Sequence, residues 1–491
     1  MAAPSSPWPA LTALIVGYFM VVLDMTIVAV ANPVIMESLH ADVTSLVWVT
    51  SAYLLTFAAL LLPAGRLGDH FGPKRVYLAG LALFTGASLW CGLSPTVGTL
   101  IVARAVQGVG AALVTPQTMA VITRTFPAER RSAAMSLWGA VAGLANLLGP
   151  LLGGVLVDRA GWEWIFYANV PVGLLGIALA VRLVPELPAH THKFDLPGLV
   201  LSSVGMFLLV LGIQEGGSRG WGGWIPWSVT VGLALLVVFV VHQKRTKADP
   251  LLPLGIFRDR TFAAASIAVA LAAAAVAAVM VPLYLYLESV RALPGAKAGL
   301  VLAPMALLAI VFVPLIALVG DRLHPRAAPV AGLALFAATL AGFAVLMTPD
   351  SPIGLFLAGA ALAGIANACI WPSLGVAASR GLPPEQAGAG AGVYNALRQV
   401  GSVLGSAAVS AVLASRMTAH GLDADLAGGS GTDGAGELAQ TVRSAFGSAL
   451  AESVYLPVGL LVLGALAAGL IVRTGRSAPR LRPSTSATVN R

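Results

Sequence analysis

The stretch LIVGYFMVVLDMTIVAVA, residues 14–31, holds a single ionisable acid, Asp24, in an otherwise uncharged and mostly apolar run. An Asp at the centre of a membrane helix costs about 2.5–3.5 kcal/mol on insertion scales. A second charge, Arg104, interrupts LIVARAVQGVG in the same way. Each residue stands about seven positions from the outer end of its run, which at a 1.5 Å rise places both about 10 Å below one membrane face. At matching depth the two can pair, as intramembrane charges usually do. Burial favours the neutral acid and a neighbouring guanidinium favours the carboxylate, so Asp24 and Arg104 are candidates for proton coupling. The plainer alternative is a pair that only locks two helices. A third polar group is NALRQ, where Asn395, Arg398 and Gln399 stand at i, i+3 and i+4. This spacing predicts one shared helix face, lining a polar cavity near mid-membrane. Gln107 and Asn146 are further candidates for that cavity, or for hydrogen bonds between helices.

The elements that carry these residues must be membrane helices. The chain has 491 residues, 58% hydrophobic and 10% charged. A soluble domain carries about 25% charged residues, so the solvent of this surface is lipid. Long Leu-, Val- and Ala-rich runs favour helices over barrel strands. Runs of about 20 apolar residues predict fourteen spans, among them 11–34, 45–64, 97–121, 133–156 and 387–415. An even number puts both termini on one side. If that side is the cytoplasm, 21 of the 29 Lys and Arg lie in its loops and tail and 6 on the opposite face. That bias supports both the number and the orientation. The net charge of +8 is therefore a membrane-facing charge and does not imply nucleic acid. Cys91 and Cys369 fall inside apolar spans, with no disulfide framework or metal set.

An internal repeat organises the spans. RTFPAERRSA at 124–133 matches RGLPPEQAGA at 380–389, pairing Arg124 with Arg380, Pro127 with Pro383 and Glu129 with Glu385. The simplest parse is a six-helix bundle over 1–190, two inserted helices and a basic loop over 191–258, a second six-helix bundle over 259–475, and a basic, disordered tail over 476–491. Two parallel repeats that enclose a midplane site and rock about it are the architecture of a transporter.

Two glycine-rich stretches belong to moving parts in this reading. GRLGDHFGPKR (65–75) forms a tight turn between spans 2 and 3. Its Asp69 can face a helix N-terminus or an arginine. GAVAGLANLLGPLLGG in span 5 carries the small-xxx-small pairs Gly139/Gly143 and Gly149/Gly153, which permit close helix contact, with Pro150 inviting a kink.

These motifs resemble the major facilitator superfamily, and within it the fourteen-span drug:proton antiporters of EmrB/QacA type. LDMTIVAVANP (23–33), GRLGDHFGPKR, LIVARAVQGVGAA (100–112), the span 5 run ending GPLLGG, and WEWIFYANVPVG (162–173) carry the likeness over nearly the whole chain. The resemblance implies an all-α membrane protein of major facilitator fold. It assigns proton coupling to Asp24 and Arg104, and a conformational latch to Gly65, Asp69, Gly72 and Arg75. It assigns the antiporter helix to Gly139, Gly143, Gly149, Pro150 and Gly153. The sequence departs from the family at His324, where a glycine is usual, and at Tyr286, where a glutamine is frequent. No acid lies in span 10, which disfavours dications and leaves monocationic, zwitterionic or neutral hydrophobic compounds.

The expectation is therefore a non-enzymatic exporter of amphipathic small molecules, working by alternating access in a bacterial cell membrane with both termini cytoplasmic. No G-x-x-x-x-G-K-[ST] loop appears, so no nucleotide cofactor or metal is expected and the proton gradient supplies the energy. The expected partners are protons, lipids and a hydrophobic substrate, for a monomer that binds no nucleic acid. A proton-coupled importer of a nutrient leaves the GPLLGG motif without a role. A non-transporting receptor leaves the repeat and its buried charges unexplained.

Overall fold

The computed structural model describes residues 6–188, 195–219, 222–246, 250–293, 295–320, 324–422 and 440–472. The first half is seven helices: α1 (Trp8–Ser38), α2 (Val43–Phe71), α3 (Pro73–Gly92), α4 (Val97–Thr125), α5 (Ala128–Ala160), and the pair α6 (Trp164–Tyr167) and α7 (Asn169–Leu183). The inserted pair is α8 (Leu196–Arg219) and α9 (Ile225–Arg245). The second half holds α10 (Arg260–Leu285), α11 (Gly295–Gly320), α12 (Ala327–Leu346), α13 (Ile353–Arg380), α14 (Ala387–Ala419) and α15 (Gln440–Gly469).

The repeat read from sequence is also a repeat of packing. The offset of 256 that aligns the two loops carries the start of α4, Val97, onto the start of α13, Ile353. Within the first half α4 packs on α2 and α3, and α1 on α5 and α7. Within the second half α13 packs on α11 and α12, and α10 on α14 and α15. The halves meet where α5 lies on α11 and α13, and where α14 lies on α2 and α4. The inserted hairpin rests over one of these seams, with α8 touching both α2 and α14. Asp195 ties its base together, accepting from Gln243 Nε2 at 2.7 Å and lying 2.9 Å from His242 Nε2.

Twelve helices among the described residues are long and apolar enough to cross a membrane, against the fourteen expected. The two that fall short are α3, which opens on Pro73, Lys74 and Arg75, and α5, whose qualifying apolar stretch is only Ala133–Ala145. At the C-terminal end of the second half, α14 runs to Ala419 and α15 begins at Gln440. The tail expected over 476–491 lies outside the described residues.

Leu and Ala suit these helices because straight-chain and small side chains lose little freedom there, Val supplies apolar surface at a small cost in helix propensity, and the backbone must satisfy itself in lipid. Their ends are set locally. Asp42 caps α2 through Ser45 N, and Thr96 with Thr99 forms a capping box at α4. Gly72 both ends α2 and starts α3, at φ 90° and ψ 135°. A side chain at that position meets no steric block, since only Leu187 O lies near, at 3.6 Å. The cost is in the backbone. Gly72→Ala is expected to lower stability by about 1–3 kcal/mol, seen as a fall in the apparent Tm of the detergent-solubilised protein.

Candidate functional site

Five helices of the first half bury one polar cluster. Asp24 on α1 and Arg104 on α4 are 0% and 1% exposed. Arg104 Nη1 donates to Asp24 Oδ2 at 2.5 Å. The other carboxylate oxygen, Oδ1, accepts from Gln107 Nε2 at 3.0 Å and from Asn169 Nδ2 at 2.9 Å. Arg104 also donates to Gln107 Oε1 and, from Nε, to the Val49 carbonyl of α2. Ser88 on α3 accepts from both amides. The guanidinium stacks 4.2 Å from the centre of the Tyr53 ring. The carboxylate thus accepts three hydrogen bonds, and every one of its facing groups is a donor. This pattern fits the ionised form. A proton on Asp24 would set a donor against donors and force the cluster to rearrange.

The depth estimate placed Asp24 and Arg104 at one level, and here they touch. The expected cavity neighbour Gln107 is a member of this cluster and does not line the cavity, because the i, i+3 step from Arg104 puts both side chains on one face of α4. Asn169, Ser88 and Tyr53 were not singled out from sequence. Asn169 stood within the WEWIFYANVPVG stretch, which did not show that its amide turns to Asp24.

A second site closes one end of the seam. Asp69, at the end of α2, is 2% exposed. Its Oδ1 accepts from Arg124 Nη2 at 2.5 Å and from Gly388 N at 2.9 Å, and Oδ2 accepts from Ala389 N at 2.7 Å. Gly388 and Ala389 lie in the first turn of α14, where N–H groups lack helical partners and the helix dipole favours an anion. One half therefore caps a helix of the other. Arg131 adds a bond across the seam to the Ser379 carbonyl. Arg75, expected in the latch, takes no part. Its side chain is 73% exposed and lies 3.8 Å from Glu186, since it falls beyond the Gly72 turn and points along α3. Arg124 holds the place instead.

Gly65 makes this closure possible. A Cβ there would run into the Gly388 carbonyl and come within 2.9 Å of Gly392 Cα. Both obstacles are backbone and cannot swing aside. Gly65→Ala is expected to cost about 1–3 kcal/mol in the closed arrangement only. The check is cysteine cross-linking across this seam, which should slow while overall folding persists.

Between the halves lies a cavity of about 230 Å³. Tyr18 and Trp138 stack at 4.8 Å on its first-half wall. Trp371, Tyr394 and Arg398 form its second-half wall. The NALRQ group does not act as one face. Arg398 enters this cavity. Gln399 turns into a separate groove with Leu54, Gln214 and Ser402. Asn395 is 1% exposed and donates to the Ala391 carbonyl. Consecutive helix residues diverge by about 100°, which separates Arg398 from Gln399. The α5 glycines divide similarly. Gly139 and Gly143 line the cavity, whereas Gly149 and Gly153 pack on Thr26 and Ile27 of α1. The side chains of Asn146 and Pro150 lie outside the described residues.

Two repeated helical halves, a cavity between them and a closure at one end define a multi-pass membrane transporter. The family model described as Major Facilitator Superfamily matches residues 14–406, and the chain belongs to that superfamily. An uncharacterised MFS-type transporter of Mycobacterium tuberculosis is 46% identical over 472 residues, covering 95% of this chain and 81% of that one. The tetracenomycin C resistance and export protein of Streptomyces glaucescens is 33% identical over 413 residues, covering 84% and 77%. Among solved structures, the proton:xylose symporter XylE superposes with a TM-score of 0.65 at 14% identity, covering 94% of this chain and 95% of that one. This last likeness is one of fold.

Proposed function

We propose that the chain is a fourteen-span exporter of the EmrB/QacA type, which drives amphipathic small molecules, antibiotics among them, out of a bacterial cell in exchange for protons. In this reading α3 and α5 also cross the membrane, since each packs inside a bundle of spanning helices. Both termini face the cytoplasm, on the side of the positive loops. The transporter works as a monomer among lipids, binds no nucleic acid, and needs the proton gradient rather than a cofactor.

The observation that carries the proposal is the Asp24 cluster. It buries a carboxylate whose hydrogen bonds suit one protonation state, on the helix that also lines the cavity. Tyr18 stands six residues before Asp24, about 9 Å along α1. Thr26, two residues beyond Asp24, lies under Gly149 of α5. Protonation breaks the pairing with Arg104, and α1 relays the change to the cavity and to α5. With the Asp69 closure in place the cavity is sealed at that end. Opening the closure and sealing the opposite end completes alternating access. The export direction is supported by the likeness to the tetracenomycin C resistance and export protein.

The test is efflux from energised cells loaded with amphipathic dyes of differing charge. Wild type is compared with Asp24→Asn at equal membrane expression, with and without a protonophore. Efflux that both the variant and the protonophore abolish is the expected result. An Asp24→Asn variant as fast as wild type would remove the carboxylate from the coupling. Gradient-driven accumulation in place of extrusion would make the protein an importer.

A further inference from the structure

The cavity between the halves is one-sided in its chemistry. Arg398 is its single charged lining residue among the described residues. The Trp138 indole nitrogen is buried without a hydrogen-bond partner, and the Tyr18 hydroxyl is buried beside the Arg398 guanidinium. The nearby amide is engaged within its own helix: Asn367 accepts from Trp371 Nε1 at 2.7 Å and donates to the Ala363 carbonyl. The acids on neighbouring helices are engaged elsewhere, Asp24 by Arg104, Gln107 and Asn169, and Asp69 by Arg124 and the start of α14. The cavity therefore offers a guanidinium, an indole N–H and a phenol O–H, with two indole rings as walls.

We infer that this cavity selects aromatic compounds that carry a carboxylate or another delocalised anion, and discriminates against cations of similar size. The inference rests on the exporter reading for its consequence, and on the lining alone for its chemistry. A carboxylate matches the planar fork of Arg398 and can accept two bonds from it. Its ring finds apolar contact against Trp138 and Trp371. The guanidinium lies 5.9 Å from the Trp371 ring centre, a cation–π approach that holds it against the cavity wall. A cationic ligand meets a like charge in a low-dielectric site and leaves the Trp138 N–H unsatisfied.

The test uses two dyes on one xanthene skeleton, anionic fluorescein and cationic rhodamine 123. Binding to the purified full chain in lipid nanodiscs is read by fluorescence anisotropy, and proton-driven transport is read in everted membrane vesicles. Fluorescein is expected to bind about tenfold tighter than rhodamine 123, or more. Arg398→Gln is expected to erase that preference, and Arg398→Lys to retain most of it. Both variants are compared at equal apparent Tm, so that misfolding is not mistaken for lost recognition. Equal or tighter binding of rhodamine 123, or a preference that survives Arg398→Gln, overturns the inference. The two readings fail separately. Fluorescein bound through Arg398 with no gradient-driven movement of either dye sinks the exporter reading and keeps the cavity's selectivity. Rhodamine 123 moved by the gradient while fluorescein neither binds nor moves does the reverse.

Discussion

Arg104→Gln is expected to destabilise the protein by about 3–5 kcal/mol, because it leaves a buried carboxylate without its counter-charge. Asp24 is fully enclosed in this arrangement, so the orphaned charge has no water contact to replace its partner. The two amides from Gln107 and Asn169 remain, but neither supplies a positive charge. The Val49 carbonyl and the Tyr53 ring lose their partner in the same step. Asp24→Asn leaves the opposite charge stranded and is expected to be destabilising too. Removing both charges in Asp24→Asn/Arg104→Gln should recover much of the loss, since the double variant strands neither group. The measurement is the unfolding midpoint of all four members of the cycle in one detergent. Additive losses would show that the two charges do not act as a pair. The double variant also separates stability from transport: it is expected to be better folded than either single variant, yet unable to couple efflux to a proton gradient.

Asp69→Asn is the second large effect, and it acts on shape rather than on folding. The carboxylate joins Arg124 of its own half to two backbone N–H groups of α14. Asparagine keeps one acceptor and turns the other oxygen into a donor, which then faces a donor. Hydrogen bonds to a charged group contribute about 1.5–3 kcal/mol each. A loss of about 3 kcal/mol, felt in the closed arrangement alone, moves the equilibrium between closed and open by more than about a hundredfold. Spin labels at Phe71 and Glu385, both exposed and on opposite halves, report the separation directly. The wild-type distance distribution is expected to hold a short component that Asp69→Asn loses. An unchanged distribution would mean that the Asp69 contact does not hold the halves together. Arg124→Lys should give a smaller shift, because a lysine retains the charge but not the fork.

Much of the architecture was legible in the chain because lipid imposes a simple rule on sequence. Runs of about 20 apolar residues must be helices that satisfy their own backbone, and the helices stand close to where those runs do. The 256-residue offset appeared in two short loops and recurs in the starts of α4 and α13. Counting residues from a membrane face brought Asp24 and Arg104 to one depth, because helical rise converts sequence distance into depth directly. The glycines of α5 signalled close approach without saying to what.

Azimuth was not legible, and neither was the partner across each interface. Sequence determined that this chain is a repeated, all-helical membrane protein with two buried charges and glycine-rich helix contacts. Tertiary structure alone decided that Gln107 turns to Asp24, that Arg398 and Gln399 enter different spaces, and that Arg124 rather than Arg75 meets Asp69. The reason is geometric. Depth along a helix follows from counting residues, whereas the neighbour a side chain meets depends on how each helix is rotated and crossed against the others, and that is settled by packing among residues hundreds of positions apart.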